Sequence, residues 1–344
     1  MKKKCYLLIS IAVAVMVFGS GASVLAASSL VVAQDTPPRM MNPHGDDSDA
    51  GLQYMANFFD GLLQRKGPDG VLAPALAERW ERLDQLSWKF YLRKGVKFHN
   101  GNPFTAADVK FSFERLNNPD VSEFINTGKS IAGVEMVDDF TVVIKTKEPI
   151  PWFANNMHQV FIMDKESTES RGPGEVMIKP IGTGAYKLVE WVKGSYVRME
   201  ANADYWEGAP PLKTVEIRPV TESSTRFAAL ASGQVDIVTG VPVELFDKIV
   251  KNPKLDVVSR PARRSIFLAL NNKPGSPTAD IRVRKAMYMA INEDEIVEKV
   301  MRGQATLAHQ IPDVATVGYD AGIQRLPYHP AKAKKLLAAA GYAN

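Results

Sequence analysis

The chain has 344 residues, 45% hydrophobic and 23% charged, ordinary globular values that allow about two domains of roughly 150 residues each. Its formal charge of +4 leans on Lys2, Lys3 and Lys4, which precede the apolar run "CYLLISIAVAVMVF", and the one cysteine, Cys5, lies in the same segment. Without residues 1–26 the charge falls to about +1 and no thiol remains, which excludes disulfides, cysteine nucleophiles and zinc-thiolate sites and leaves no electrostatic case for nucleic acid as a partner.

In chain order, residues 1–26 read as a secretory signal peptide. The apolar run is shorter than the roughly 20 residues that span a bilayer, which weighs against a membrane anchor, and Val24-Leu25-Ala26 offers a small-x-small cleavage site. The acylated cysteine of a lipoprotein follows the apolar run, whereas Cys5 comes before it. Cleavage after Ala26 and a soluble periplasmic product are therefore expected.

The run "SLVVAQ" is a short strand, "DTPPRMMNPHGDDSDAG" a Pro, Gly and Asp-rich loop, and "LQYMANFFDGLL" an apolar-periodic helix, so the chain opens as an α/β protein. Trp88, Phe90 and Leu92 alternate with Lys89, Tyr91 and Arg93, the pattern of a strand with one buried face. Asn100-Gly101 tolerates the positive φ of a tight turn, placing His99 near a strand end. Thr105 with Asp108 resembles a capping box, and Val109, Phe113 and Leu116 fall on one helical face.

Beyond residue 181, "IGTGAYKLVEWVKGSYVRMEANADYWEG" holds two alternating runs joined at Lys193-Gly194, a second hairpin. "TVEIRPV", "ESSTRFAALASG" and "QVDIVTGVP" then form strand, helix and strand, with Gly233 closing the helix, a crossover that implies parallel pairing and a covered sheet. "KNPKLDVVSRPARRSIFLALNN" holds two more apolar runs before "KPGSPTAD" breaks the pattern, and an interdomain boundary is expected there. The remainder is helical: Val283, Met287 and Ala290 share a face, Asn292 and Glu295 suit a capping box, Gly303 stops the second helix, and Gly341 closes "YHPAKAKKLLAAAGYAN".

Catalytic signatures are missing from this pattern. The five histidines, His44, His99, His158, His309 and His329, have no partner at metal-ligand spacing, and neither G-x-S-x-G nor G-x-x-x-x-G-K-[ST] occurs. Gly182-Thr183-Gly184 leads into a strand and not a helix, so it suits backbone freedom at a domain crossover better than a phosphate cradle. Asp46, Asp47 and Asp49 share one loop that could suit calcium or an ammonium group, with a solvated loop as the alternative; the spacing departs from an EF-hand. Trp80, Trp88 and Phe113 sit at core periodicities.

"LAPALAERWERLDQLSWKFYLRKGVKFHNGNPFTAADVKFSFERL" resembles the signature segment of the family 5 extracellular solute-binding proteins, the peptide and nickel receptors of ATP-driven importers. "NPHGDD", "IGTGAYKL", "NADYWEG", "ALASGQVDI", "DIRVRKAMYMAINEDEIVEKVMRGQA" and "YHPAKAKKLLAAAGY" resemble further family blocks in family order. The resemblance implies a type II periplasmic-binding-protein fold: a first lobe from residues 27–50 and 181–272, an inserted domain from 51–180, and a second lobe from 273–344 across a hinge. It implies ligand capture between lobes and delivery of a peptide or other small solute to the transmembrane permease of an ABC importer, by a monomer without cofactor, metal site or enzymatic activity.

Carried over by position, the resemblance places ligand contacts at Asp46, Asp47 and Ser48 after "NPH", at Thr239 and Gly240 leaving "QVDIV", and at Phe267 and Asn271 beside the hinge. Each has a plainer alternative: Thr239 as a strand end, Asn271 as a partner for hinge backbone and Phe267 as core. Ala185 stands where many relatives carry proline, a change of local stiffness. Family members run well past "AAAGY", and the acidic residue that pairs with a peptide's ammonium group belongs to that stretch. The resemblance therefore implies a C-terminal truncation with an incomplete second lobe, exposed apolar surface, and weak or no binding by the 344-residue form. Competing functions are a receptor for a nickel chelate, sugar or opine-like solute, and, from another class, an exported hydrolase with paired carboxylates.

Overall fold

The computed structural model describes residues 28–67, 70–259, 265–312 and 318–342. The signal-peptide expectation for residues 1–26, with Cys5, lies outside them. Ser29–Gln34 (β1) becomes more buried toward its carboxyl end, where Ala33 and Gln34 are enclosed. Eleven strands are described. After β1 come Leu63–Lys66 (β2), Val71–Pro74 (β3), Ala77–Arg82 (β4), Ser87–Leu92 (β5), Ile131–Asp138 (β6) and Thr141–Thr146 (β7). Tyr186–Val192 (β8), Tyr196–Ala201 (β9), Thr214–Pro219 (β10) and Ile237–Val238 (β11) complete the set.

Two main sheets result. In the five-stranded sheet, ordered β11-β1-β10-β9-β8, β1 pairs in parallel with β10 on one side and β11 on the other, while β10, β9 and β8 run antiparallel. The crossover through the helix Ser223–Ala231 does yield parallel strands, but β10 and β11 are not neighbours, because β1, some 200 residues earlier, lies between them. Gly194, with φ of 78°, turns the β8–β9 hairpin, as its sequence predicts. Val197, Met199, Val215 and Ile217 face a cluster with Tyr54, Phe58, Phe59, Phe161 and Met163.

The four-stranded sheet, β4-β5-β7-β6, is wholly antiparallel, and Trp88, Phe90 and Leu92 of β5 are its buried row. The helix Ala106–Arg115 covers it through Val109 and Phe113, with Leu116 beyond its end; full burial of one such side chain contributes about 2 kcal/mol. Its start carries the expected capping box: Asp108 Oδ2 accepts from the Thr105 amide at 2.9 Å, and the Thr105 hydroxyl accepts from the amide of Ala107 at 3.3 Å.

Several expectations differ from the structure: the helix read over "LQYMANFFDGLL" ends at Met55, and Leu63 already belongs to β2. The two apolar runs read within residues 251–272 form no strand among the described residues. In the helix Ile281–Ala290 the buried positions are Val283, Ala286 and Met289, one residue away from the face drawn through Met287 and Ala290. The partner sets the face: the helix Pro330–Ala339 packs Ala333, Leu336 and Leu337 against Ala286 and Met289. Apolar side chains nearby are exposed, among them Ile266 at 84%, Leu268 at 71% and Ile311 at 66%.

Candidate ligand-binding site

Parallel strands end with their carbonyl-bearing edges side by side, and in an open α/β sheet that edge is where ligands bind. Here the Val220 amide donates to the Gln34 carbonyl at 2.7 Å and the Thr239 amide to the Ala33 carbonyl at 3.1 Å, so β10 and β11 leave the sheet on either side of β1. Arg226, on the crossover helix and 4% exposed, ties the exits together. Its guanidinium donates to the carbonyls of Val220 (2.6 Å), Thr221 (2.9 Å), Thr239 (3.2 Å) and Gly240 (2.9 Å). Glu222 caps that helix by accepting from the Thr225 amide at 2.7 Å; hydrogen bonds from Ser224 and Thr225 pull its carboxyl down to about 2.

Gly240 has φ of 63°, and a Cβ there would sit 3.0 Å from Asp35 Oδ2, so glycine serves both the turn and the approach to the end of β1. Asp35 is exposed. Beside it, the buried Tyr54 hydroxyl has no hydrogen-bond partner, and burial, with the charge of Asp35 second, raises its pKa. Gln53, next to Tyr54, accepts from Gln34 Nε2 at 2.9 Å. The helix Asp49–Met55 is thus fastened to the end of β1, and Ser48 is its cap, accepting from the Gly51 amide at 3.1 Å.

The loop before that helix is wired through Asp46. Only 1% exposed, it accepts from Arg39 Nη2 (2.7 Å), the Ser48 hydroxyl (2.6 Å) and the Ser48 amide (3.1 Å). Burial opposes its ionisation, but the bonds from Arg39 and Ser48 outweigh this and hold the carboxyl below its ordinary value. Arg39 also bonds Glu123 at 2.5 Å, and the Asp47 amide donates to Glu123 at 3.3 Å. Burial and the Glu123 charge raise the pKa of Asp47. The loop therefore turns Asp46 inward as its organiser and presents Asp47 and Ser48 outward.

Thr239 and Gly240 lie on the exposed rim of the same sheet edge, their carbonyls held by Arg226. Phe267 is 60% exposed, and Asn271 accepts from the Lys273 amide at 3.1 Å while its carbonyl accepts from Thr278. No described bond joins these two to the strand-end group. Arg226 and Asp35 are absent from the sequence-based set. Arg226 looks like any helix residue until the two strand exits are seen around it.

The signature stretch does other work. The His99 amide donates to the Gly182 carbonyl at 2.8 Å and His99 Nε2 lies 2.9 Å from the Gly184 carbonyl. His99 sits in a turn beside the isolated bridge Lys97–Pro103, not at a strand end. Asn100 and Asn102 both donate to Asp164, at 2.7 and 2.9 Å. Gly182 and Gly184 have no positive φ; a Cβ on either would fall within 2.4 Å of Phe58 backbone, so close approach and not backbone freedom demands glycine. Between them Thr183 donates to Asp60 at 2.8 Å, which also accepts from Trp206 Nε1 at 3.0 Å and the Tyr205 hydroxyl at 3.2 Å. Among the described residues no group of three or more His, Cys, Asp or Glu could hold a metal ion, and no helix is long and apolar enough to cross a membrane.

Comparison with known proteins places this geometry. Over 325 residues the chain is 33% identical to the glutathione-binding protein GsiB of Pectobacterium atrosepticum, an alignment covering 93% of this chain and 63% of that protein. The structure matches the ABC transporter-associated periplasmic binding protein DppA from Helicobacter pylori in complex with the peptide STSA: TM-score 0.82, 29% identity, 92% of this chain and 66% of that one. It matches NikZ from Campylobacter jejuni in complex with Ni(L-His) at a TM-score of 0.80 and 27% identity, covering 91% and 63%. The chain thus spans less than two thirds of the length of the curated relatives it resembles first, and its α/β architecture is that of the type II periplasmic binding proteins. The model of the bacterial extracellular solute-binding proteins, family 5, matches residues 71–344, and the chain belongs to that family.

Proposed function

We propose that the protein is the substrate-binding receptor of an ABC importer, capturing a peptide or similar small solute and delivering it to the membrane permease. The observation that carries this reading is the edge where β1, β10 and β11 end: Asp35, Thr239 and Gly240 are exposed there, and the helix capped by Ser48 is fastened beside them. The Thr239 and Gly240 carbonyls, each with a second lone pair beside the bond from Arg226, suit donors of an extended peptide main chain, as do the carboxylates of Asp35 and Asp47. Phe267 and Asn271 belong to the same lobe in this reading, beside the hinge, and would meet the ligand from there. In this reading residues 27–50 and 181–272 form the first lobe, 51–180 the inserted domain and 273–344 the second lobe. The receptor is periplasmic and monomeric, works without catalysis, and closes because ligand contacts both lobes.

Melting temperature with and without ligand, in a form extended to the length of its relatives, tests the proposal. Short peptides, including glutathione, should raise it in a saturable way. A rise with nickel–histidine, sugars or opines and none with peptides would transfer the reading to another solute, and no rise with any of them would remove it.

A further inference from the structure

A cavity of about 440 Å³ lies away from the strand-end edge, between the helix Ala106–Arg115 and residues 168–177. Its walls are apolar, built by Phe111, Val121, Pro173, Val176 and Met177. Arg115 and Arg171 are also among its lining residues. Arg115 Nη1 reaches only neutral acceptors: Asn42 Oδ1 at 3.3 Å, His44 Nδ1 at 3.2 Å and the Val121 carbonyl at 3.4 Å. Arg171 likewise donates to the carbonyls of Ser167 (2.9 Å) and Lys179 (2.8 Å).

A half-buried cation with no carboxylate partner is costly, because desolvation is not offset by an opposite charge; Arg115 is such a group, whereas the charges of Glu175 and Asp164 partly offset burial at Arg171. Burial lowers the pKa of Arg115 to about 10 with no carboxylate opposing the shift, and Arg115 in turn helps keep buried His44 neutral. The two carboxylates on the lining, Glu114 and Glu169, are both exposed, and Glu114 turns toward Lys110 at 3.8 Å. Arg115 is therefore a cation on the lining whose charge no described carboxylate offsets.

We propose that this cavity is a second small-molecule site, separate from the strand-end edge, that takes a compact organic carboxylate with an apolar body. The carboxylate would lie against the Arg115 and Arg171 guanidiniums, the arrangement in which charge-assisted hydrogen bonds are strongest, and the body against Phe111, Val176 and Met177. The volume falls within the range of ordinary small-ligand pockets, and the apolar walls disfavour a bare inorganic anion.

Calorimetric titration of the chain with octanoate, octan-1-ol and inorganic phosphate tests it. Octanoate is expected to bind saturably below about 1 mM, at least about tenfold more tightly than the alcohol, with phosphate silent. Met177→Trp, which fills the cavity, should abolish octanoate binding, and Arg171→Gln should weaken it by about fivefold. Should Met177→Trp fail to fold, Thr168→Trp blocks the same space from the other wall. No saturable octanoate binding, equal binding of acid and alcohol, binding of phosphate in its place, or octanoate binding that survives the tryptophan would each overturn the proposal and leave Arg115 as a purely structural donor.

Discussion

Arg226 Nη2 donates to the Gly240 carbonyl at 2.9 Å, and through this bond a buried cation holds the exit of β11 against the exit of β10. Replacing Arg226 with methionine keeps the volume but leaves four carbonyls without their donor. Urea unfolding of Arg226→Met is expected to show a loss of about 2–4 kcal/mol. A loss below about 0.5 kcal/mol would mean that water serves those carbonyls equally well.

Gly184 is expected to be intolerant for a reason of space. A Cβ there meets the Phe58 carbonyl carbon at 2.4 Å and the Asn57 oxygen at 2.6 Å, both rigid main chain. Gly184→Ala should cost about 2 kcal/mol or more, whereas Gly174→Ala, with open space around it, should stay within about 0.5 kcal/mol of the parent. Equal effects at the two positions would contradict the packing described.

Acidification should destabilise the fold through two histidines. Burial, then the Arg115 charge, lowers the His44 pKa to about 3, and burial lowers that of His99 to about 4. Each folded pKa lies below the unfolded value of about 6.5, so the unfolded chain binds more protons, and stability is lost as pH falls from about 6.5 toward 4. Each site accounts for a loss on the order of 3 kcal/mol at about 1.4 kcal/mol per unit. His99→Gln should flatten the pH dependence of the melting temperature in that window and leave ligand response unchanged; an unaltered pH profile would show that His99 is not the titrating group.

Local grammar was legible in the sequence, and long-range partnership was not. Thr105 and Asp108 are three residues apart and cap their helix, and Lys193-Gly194 turns its hairpin, because such devices need only near neighbours. The order of the five-stranded sheet depends on β1 entering between β10 and β11, a pairing across about 200 residues that no periodicity encodes. The same distance hides Asp60, a lone acid in "FFDGLL" until Thr183, Tyr205 and Trp206 converge on it. Within the candidate site, "NPHGDD" reads as a loop from its composition and as a ligand contact only from the family resemblance, and that Asp46 turns inward and Asp47 outward follows from Arg39 and Glu123, which carry no local signal. The face of Ile281–Ala290 was misjudged because its stripe is weak and the helix Pro330–Ala339 decides which positions are buried.

Arg39→Ala should act on ionisation more than on stability. Arg39 is 53% exposed, so its pairing adds about 1 kcal/mol or less to folding. It is, after burial, the principal influence on Asp46, and without it the Asp46 pKa should rise, read from the carboxyl carbon shift in an NMR titration. An Asp46 titration unchanged by the substitution would show that Ser48 alone holds the loop.

The receptor reading meets its most direct test in amide chemical-shift mapping of a form extended to the length of its relatives during titration with a short peptide. The account predicts saturable shifts concentrated at Asp35, Asp47, Ser48, Thr239 and Gly240, with His99 and its turn unmoved. Saturable binding whose shifts avoid the ends of β1, β10 and β11, or no shift at any residue, would contradict it.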